Sequence, residues 1–248
     1  MKNFWIEDIR ALDIQYQEDE KDKLISYIRL FQNGDFRRKK EFVEFFLGAA
    51  SRQIFVLGMR VFMAIAAHKD FKMLEDFFAE CEEERLKVFL AYVQESMSLQ
   101  AIPYLLALYG EWDETGLESD IARCICGMLG VKYLEEKLYT EEQLGELYLH
   151  FVETHDINKY YYKGELYFAG NLTKKIITIA MQCYNRKSMF YTNQMPSIIS
   201  NNTGVKCPVS YGKIIDDFKI RELYEYVSEI AQFRQVMGEK YFYKFKIE

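Results

Sequence analysis

Proline is nearly missing from this chain: Pro103, Pro196 and Pro208 are the only three in 248 residues, alongside thirteen glycines. A sequence so poor in helix breakers, and half hydrophobic, is neither disordered nor low-complexity. Histidine is equally scarce. His68, His150 and His155 are the whole set, the last two sit off a common helical face, and no His-Glu-x-x-His occurs, which removes the commonest zinc pattern. Glu146 precedes His150 by four, the wrong spacing for a Glu-x-x-His di-metal helix. There is no Gly-x-x-x-x-Gly-Lys-Ser/Thr loop and no Gly-x-Ser-x-Gly elbow. Nothing in the sequence recommends a catalytic residue, a metal or a cofactor. The protein is read as a non-enzyme that needs none.

Disulfide patterning is also absent. Cys81, Cys124, Cys126, Cys183 and Cys207 are odd in number and scattered, without a Cys-x-x-Cys; they read as reduced, buried thiols of a cytoplasmic protein. The N-terminus meets Glu7 and Asp8 before any apolar run forms, unlike a signal peptide. The most apolar stretch, 54–67, is too short to span a bilayer and carries Arg60, so it reads as a buried helix, with no membrane partner.

What is present is periodicity. Leu24, Tyr27, Ile28 and Phe31 mark an amphipathic helix over 18–31, closed by Asn33-Gly34-Asp35. A helix-pair pattern then recurs every 31–33 residues. First helices are expected to begin near 40, 70 and 100, second helices near 51, 83 and 116. Asp70 is placed as a helix cap. The second helices carry apolar stripes: Ile54, Leu57, Val61, Phe62 and Ile65; Leu86, Phe89, Leu90, Val93 and Met97; Ile121, Cys124, Ile125, Met128 and Leu129. No such pair buries its apolar face alone, so neighbours must stack. Thr140 to Gln143 has capping-box spacing before a further helix. Beyond it the pattern breaks. Tyr160-Tyr161-Tyr162-Lys163-Gly164-Glu165-Leu166 suggests a short hairpin. Asn171 is expected to cap a helix through Tyr184, residues 185–211 to be loop, and 213–235 to be one long helix. The aromatic tail after Gly238 is expected to be a strand, pairing with the Tyr160 segment.

The third pair carries a resemblance. Ala101-Ile102-Pro103-Tyr104-Leu105-Leu106 followed by Ile121-Ala122-Arg123-Cys124-Ile125-Cys126-Gly127-Met128-Leu129-Gly130 resembles a HEAT repeat, with Arg123 one position late and Cys126 in place of a small alanine. The resemblance implies a mainly α fold: a right-handed α-solenoid of HEAT-like helix pairs with a small β or irregular insertion and a C-terminal tail. The whole, 1–248, is read as one helical repeat domain. Residues 1–34 cap it, 35–154 form the pairs, and 155–248 hold the insertion, C-terminal helices and tail. The layout, with its Tyr-Lys-Gly-Glu insertion and Gly-Glu-Lys-Tyr-Phe-Tyr ending, is similar to compact bacterial immunity proteins, which bind and neutralise toxins delivered by neighbouring cells.

Charge supplies the rest. The net charge is −6, but residues 70–146 hold 18 acids against 6 bases, a net of −12. Two readings fit: acids that solvate helix starts and answer the helix dipole, or an acidic docking surface for a basic partner. In the second, the expected partner residues are Glu80, Glu82, Glu83, Glu84, Glu111, Asp113, Glu114 and Glu118. Trp112, within that acidic loop, is either an interface anchor or a ring folded over the helix ends. One of the tyrosines at 160–162, assigned as Tyr161, is expected to be exposed and to join the partner-binding surface. So acidic a repeat argues against direct nucleic-acid binding. The expected partner is a basic toxin, a nuclease, occluded at its active site. A HEAT-like scaffold or adaptor, and less so a HEAT-like nucleic-acid repair or lyase enzyme, are the alternatives.

Overall fold

In a computed structural model of the chain, residues 4–11, 18–112, 115–192 and 194–248 are described. They are mainly α-helical: α1 (Phe4–Arg10), α2 (Glu18–Gln32), α3 (Lys39–Leu47), α4 (Arg52–Ile65), α5 (Glu75–Glu80), α6 (Glu83–Tyr92), α7 (Ile102–Glu111), α8 (Leu117–Leu129), α9 (Glu141–Thr154), α10 (Ala169–Arg186), α11 (Gln194–Thr203) and α12 (Asp217–Ile230). Two hairpins complete the list, β1 (Tyr161–Tyr162) with β2 (Glu165–Leu166) and β3 (Tyr241–Phe242) with β4 (Phe245–Lys246). Contacts divide the chain into two compact units, residues 39–167 and residues 1–38 with 168–248.

In the 39–167 unit the helix starts fall where the periodicity puts them. Ser51 caps α4 by accepting from the Ile54 N–H, and Ile54, Leu57, Val61, Phe62 and Ile65 are buried. Helices α3 and α4 pack as a pair, as do α7 and α8. The second helices stack in turn, α4 on α6 and α6 on α8. A Cβ at Gly58 would collide with Phe46, so the missing side chain is what lets α4 lie so close to α3. The second pair opens differently from expectation. His68–Leu74 is a 3-10 turn before α5, and Asp70 is its third residue rather than its cap. The Asp70 carboxylate reaches back to the Ala67 N–H at 2.8 Å and takes Lys39 Nζ at 2.6 Å. Both residues are buried, so a polar contact locks α3 to that turn within the core.

The Tyr160 segment does form a hairpin. Lys163 (φ 51°) and Gly164 (φ 74°) supply its two left-handed turn residues, the pattern of a two-residue primed turn. Tyr161 donates its N–H to Met97 O at 2.9 Å, and Gly164 donates to Met128 O at 3.0 Å.

The other unit departs further from the sequence reading. Residues 185–211 are not all loop, because α11 lies within them. Pro196 sits in its first turn, where a missing N–H costs nothing. Ser200, Asn202 and Thr203 return their side-chain donors to the carbonyls four residues back, at 2.6 to 2.7 Å, which lets loop-favouring residues be buried in a helix. Asn171 is the third residue of α10 rather than its cap, which is Phe168. The long C-terminal helix is shorter than expected; Asp216 caps it by accepting from the Lys219 N–H.

The C-terminal strand does not pair with the Tyr160 segment. It folds on itself through Tyr243 (φ 48°) and Lys244 (φ 75°). A local hairpin closes a loop of two residues, and its closure entropy is far smaller than that of a pairing across some 80 residues. Tyr243 and Lys244 donate their N–H groups to Asn201 O and Asn202 O, carbonyls in the last turn of α11 that have no partner within the helix. Trp5 anchors α1 to the same place, its indole N–H donating to Asn201 Oδ1 at 2.9 Å.

Candidate partner-binding surface

Charge separates the two units. Residues 39–167 carry 23 acids and 13 bases, a net of −10, whereas the other unit carries 15 acids and 19 bases, a net of +4. Within the acidic unit, the end of α3, helix α5 and the start of α6 frame an open cleft of about 480 Å³. Its apolar floor is Leu47, Phe77 and Cys81, and its rim carries Asp76, Glu80 and Glu82. These three carboxylates are exposed and make no ion pair among the described residues.

One cation lines the cleft, and the fold has already used it. The Arg85 guanidinium donates to Leu47 O at 2.8 Å and Ala49 O at 3.4 Å, carbonyls at the end of α3, and lies 4.6 Å from the centre of the Phe55 ring. It therefore caps a helix C-terminus, where positive charge is favoured. Arg85, Asp76 and Phe77 were not among the residues expected here; only the acid run around Asp76 was a signal for them.

The expected partner residues divide once placed. Glu83 pairs with Lys87 at 2.5 Å and Glu84 with Arg52 at 2.9 Å, so part of their charge is answered within the unit. Glu82 precedes α6 and Glu80 ends α5, both exposed. Glu111 ends α7 and is exposed; its charge is felt at Cys81. Glu118, in the first turn of α8, is half-buried, with Oε2 buried and lacking a hydrogen-bond partner among the described residues. Trp112 is half-buried at the end of α7. Asp113 and Glu114 lie outside the described residues.

Tyr161 is a correction. All three tyrosines of 160–162 are buried, Tyr161 to 5% exposure. Its backbone is tied to Met97, and its ring meets the Phe151 ring edge-on at 5.4 Å. Strand alternation predicts one outward ring, but here packing covers both faces of the hairpin's first strand.

Burial, with the Glu111 charge behind it, pushes the Cys81 thiol up, so it stays protonated at neutral pH and is a poor nucleophile. Burial pushes Cys124 and Cys207 up to about 12. Among the described residues no group of three or more His, Cys, Asp or Glu is placed to hold a metal ion, and no helix is long and apolar enough to cross a membrane.

A mainly α scaffold that presents a strongly charged open cleft has the character of a protein-binding module. The match that places it is to the family described as Immunity protein 47, which spans residues 11–247. The chain belongs to that family and is an immunity protein, one that binds a cognate toxin. No curated protein and no solved structure matches it.

Proposed function

We propose that the protein neutralises its toxin by tight occlusion of the toxin's active site, and that the toxin is a basic nuclease met by the acidic face of residues 39–167. The observation that carries this reading is the cleft at α5 and α6. Three exposed carboxylates, without an ion pair among the described residues, stand around an apolar floor, and the Arg85 cation beside them is turned to backbone carbonyls. A nuclease grips phosphate with Lys and Arg, and such a surface would be drawn to this rim and held on its floor. In this reading the helix pairs of 35–154 form a right-handed HEAT-like array, Trp112, Glu111 and Glu118 extend the contact beyond the cleft, and the complex forms in the cytoplasm without a cofactor.

The test is affinity for the toxin encoded beside it, measured at about 150 mM and about 500 mM salt, where screening lengths fall from about 8 Å to roughly 4 Å. Glu80→Lys with Glu82→Lys should weaken binding at least tenfold at the lower salt and flatten its salt dependence, without changing the melting temperature. Reversing Glu83 and Glu84 as well should add less per residue, because each also loses an internal partner. Equal affinity for variant and wild type at both salts would refute the acidic-face assignment.

A further inference from the structure

Five large hydrophobic side chains stand in water together in the unit formed by 1–38 and 168–248. Met189, Tyr191, Tyr211, Ile214 and Phe218 are each 58 to 64% exposed. The backbone explains why. Met189 and Ile214 face each other in an antiparallel bridge, and the bond from Phe190 N–H to Lys213 O makes them a non-hydrogen-bonded pair, the kind whose side chains lie closest and on one face. Alternation sends their neighbours Phe190 and Ile215 inward, to 0% and 3% exposure, and turns Tyr191 back out beside Met189. Phe218 follows in the first turn of α12, and Tyr184 at the end of α10 ties that turn down by donating to Asp217 Oδ1 at 2.5 Å. The outward face is thus set by inward anchors and is no fraying loop. Scattered apolar residues on a surface are ordinary; a gathered group of Met, Ile and aromatics is the composition of an interface core.

The charges beside it lean positive. Arg186, Lys187, Lys213 and Arg221 are exposed and make no ion pair among the described residues. Of the neighbouring acids, Asp216 caps α12, Asp217 accepts from Tyr184, and Glu222 holds Lys219 at 2.6 Å; Glu225, four residues after Arg221, is exposed with no ion pair among the described residues.

We propose that this patch is a second docking surface for the toxin, and that it takes an element of the toxin that is apolar at its centre and acidic around it. This rests on the immunity reading but not on the acidic cleft. An acidic element is not a phosphate-gripping groove, so the two surfaces engage different parts of the toxin, and their contributions to affinity are separable.

The experiment compares two double variants with wild type, all on the full chain. Tyr191→Ala with Phe218→Ala removes two aromatic anchors; Lys213→Glu with Arg221→Glu reverses the rim. Both pairs are exposed, so melting temperatures should hold. Affinity for the adjacent-gene toxin should fall at least 30-fold in the first and at least tenfold in the second, and the second loss should shrink at high salt. Either loss should multiply with that of the Glu80 and Glu82 reversal. Wild-type affinity in both variants would overturn the proposal. So would light scattering that finds the free protein dimeric and the variants monomeric, since the patch would then hold a second copy. If the wild type binds no toxin, the immunity reading falls first, before any variant is compared.

Discussion

Replacing Asp70 by alanine should remove about 3–5 kcal/mol of folding stability, several times the worth of a surface ion pair. Lys39 Nζ and Asp70 Oδ2 are 2.6 Å apart, with side chains 7% and 2% exposed. At an effective dielectric near 20 their attraction is roughly 6 kcal/mol. Burial opposes it. The Lys39 ammonium is lowered from its ordinary pKa, with desolvation the largest cause and the attraction and hydrogen bond of Asp70 pulling the other way. The pair as a whole therefore stabilises little, while each half depends on the other. Asp70→Ala leaves a buried ammonium without its carboxylate and strips the Ala67 N–H of its acceptor. Lys39→Met should cost a similar amount. Lys39→Met with Asp70→Leu should recover most of the loss, because both desolvation penalties vanish together. Urea unfolding of wild type, both single variants and the double variant gives the coupling directly. A cost below about 1 kcal/mol for Asp70→Ala, or single costs that simply add in the double, would refute the reasoning. The pH sign follows from the lowered pKa. In the window just below 10.5 the unfolded chain binds more protons, so the contribution of Lys39 rises as pH climbs through that window and is least below it.

Two further outcomes are expected. Gly58→Ala should destabilise by about 1–3 kcal/mol despite the helix preference of alanine, because its methyl group meets Phe46 and the helix pair must part; thermal denaturation reads it. The Arg37 side chain, hydrogen-bonded to Asp35 at 2.7 and 2.8 Å, holds that carboxyl down at about 2, so its stabilising contribution is present above 3.8 and is lost as pH falls toward 2. Carboxyl NMR titration should find that value in wild type and a return toward 3.8 in Arg37→Ala.

How far the chain could be read in advance depended on how local the governing physics is. Apart from the 3-10 turn at 68–74, helix positions from Leu24 to Leu129 followed from apolar spacing, because a 3.6-residue stripe or a Ser51 cap acts within a turn or two. The Lys163-Gly164 hairpin was legible for the same reason. Residues 185–211 were not, because Ser200, Asn202 and Thr203 favour loops by composition and become helical only with burial to support their back-bonding. The second hairpin was misassigned because Tyr243-Lys244 lacks the glycine that marks such turns, and its support comes from the last carbonyls of α11, some 40 residues earlier. The acid excess of 70–146 was countable in the sequence, but counting could not tell Glu82, with no ion pair among the described residues, from Glu83 and Glu84, each held by a base.

By itself the amino-acid sequence determined the helical class, the helix-pair spacing and the sign of each segment's charge, since these are sums or periodicities along the chain. Tertiary structure alone decided which charges remain unanswered, that Tyr161 is covered, and that Met189, Tyr191 and Ile214 share an outward face, with Phe218 exposed just beyond Ile214 in the chain. Pairing and burial depend on what lies across from a residue in space, and the partners here, Arg52 for Glu84 or Ile214 for Met189, stand tens of residues away.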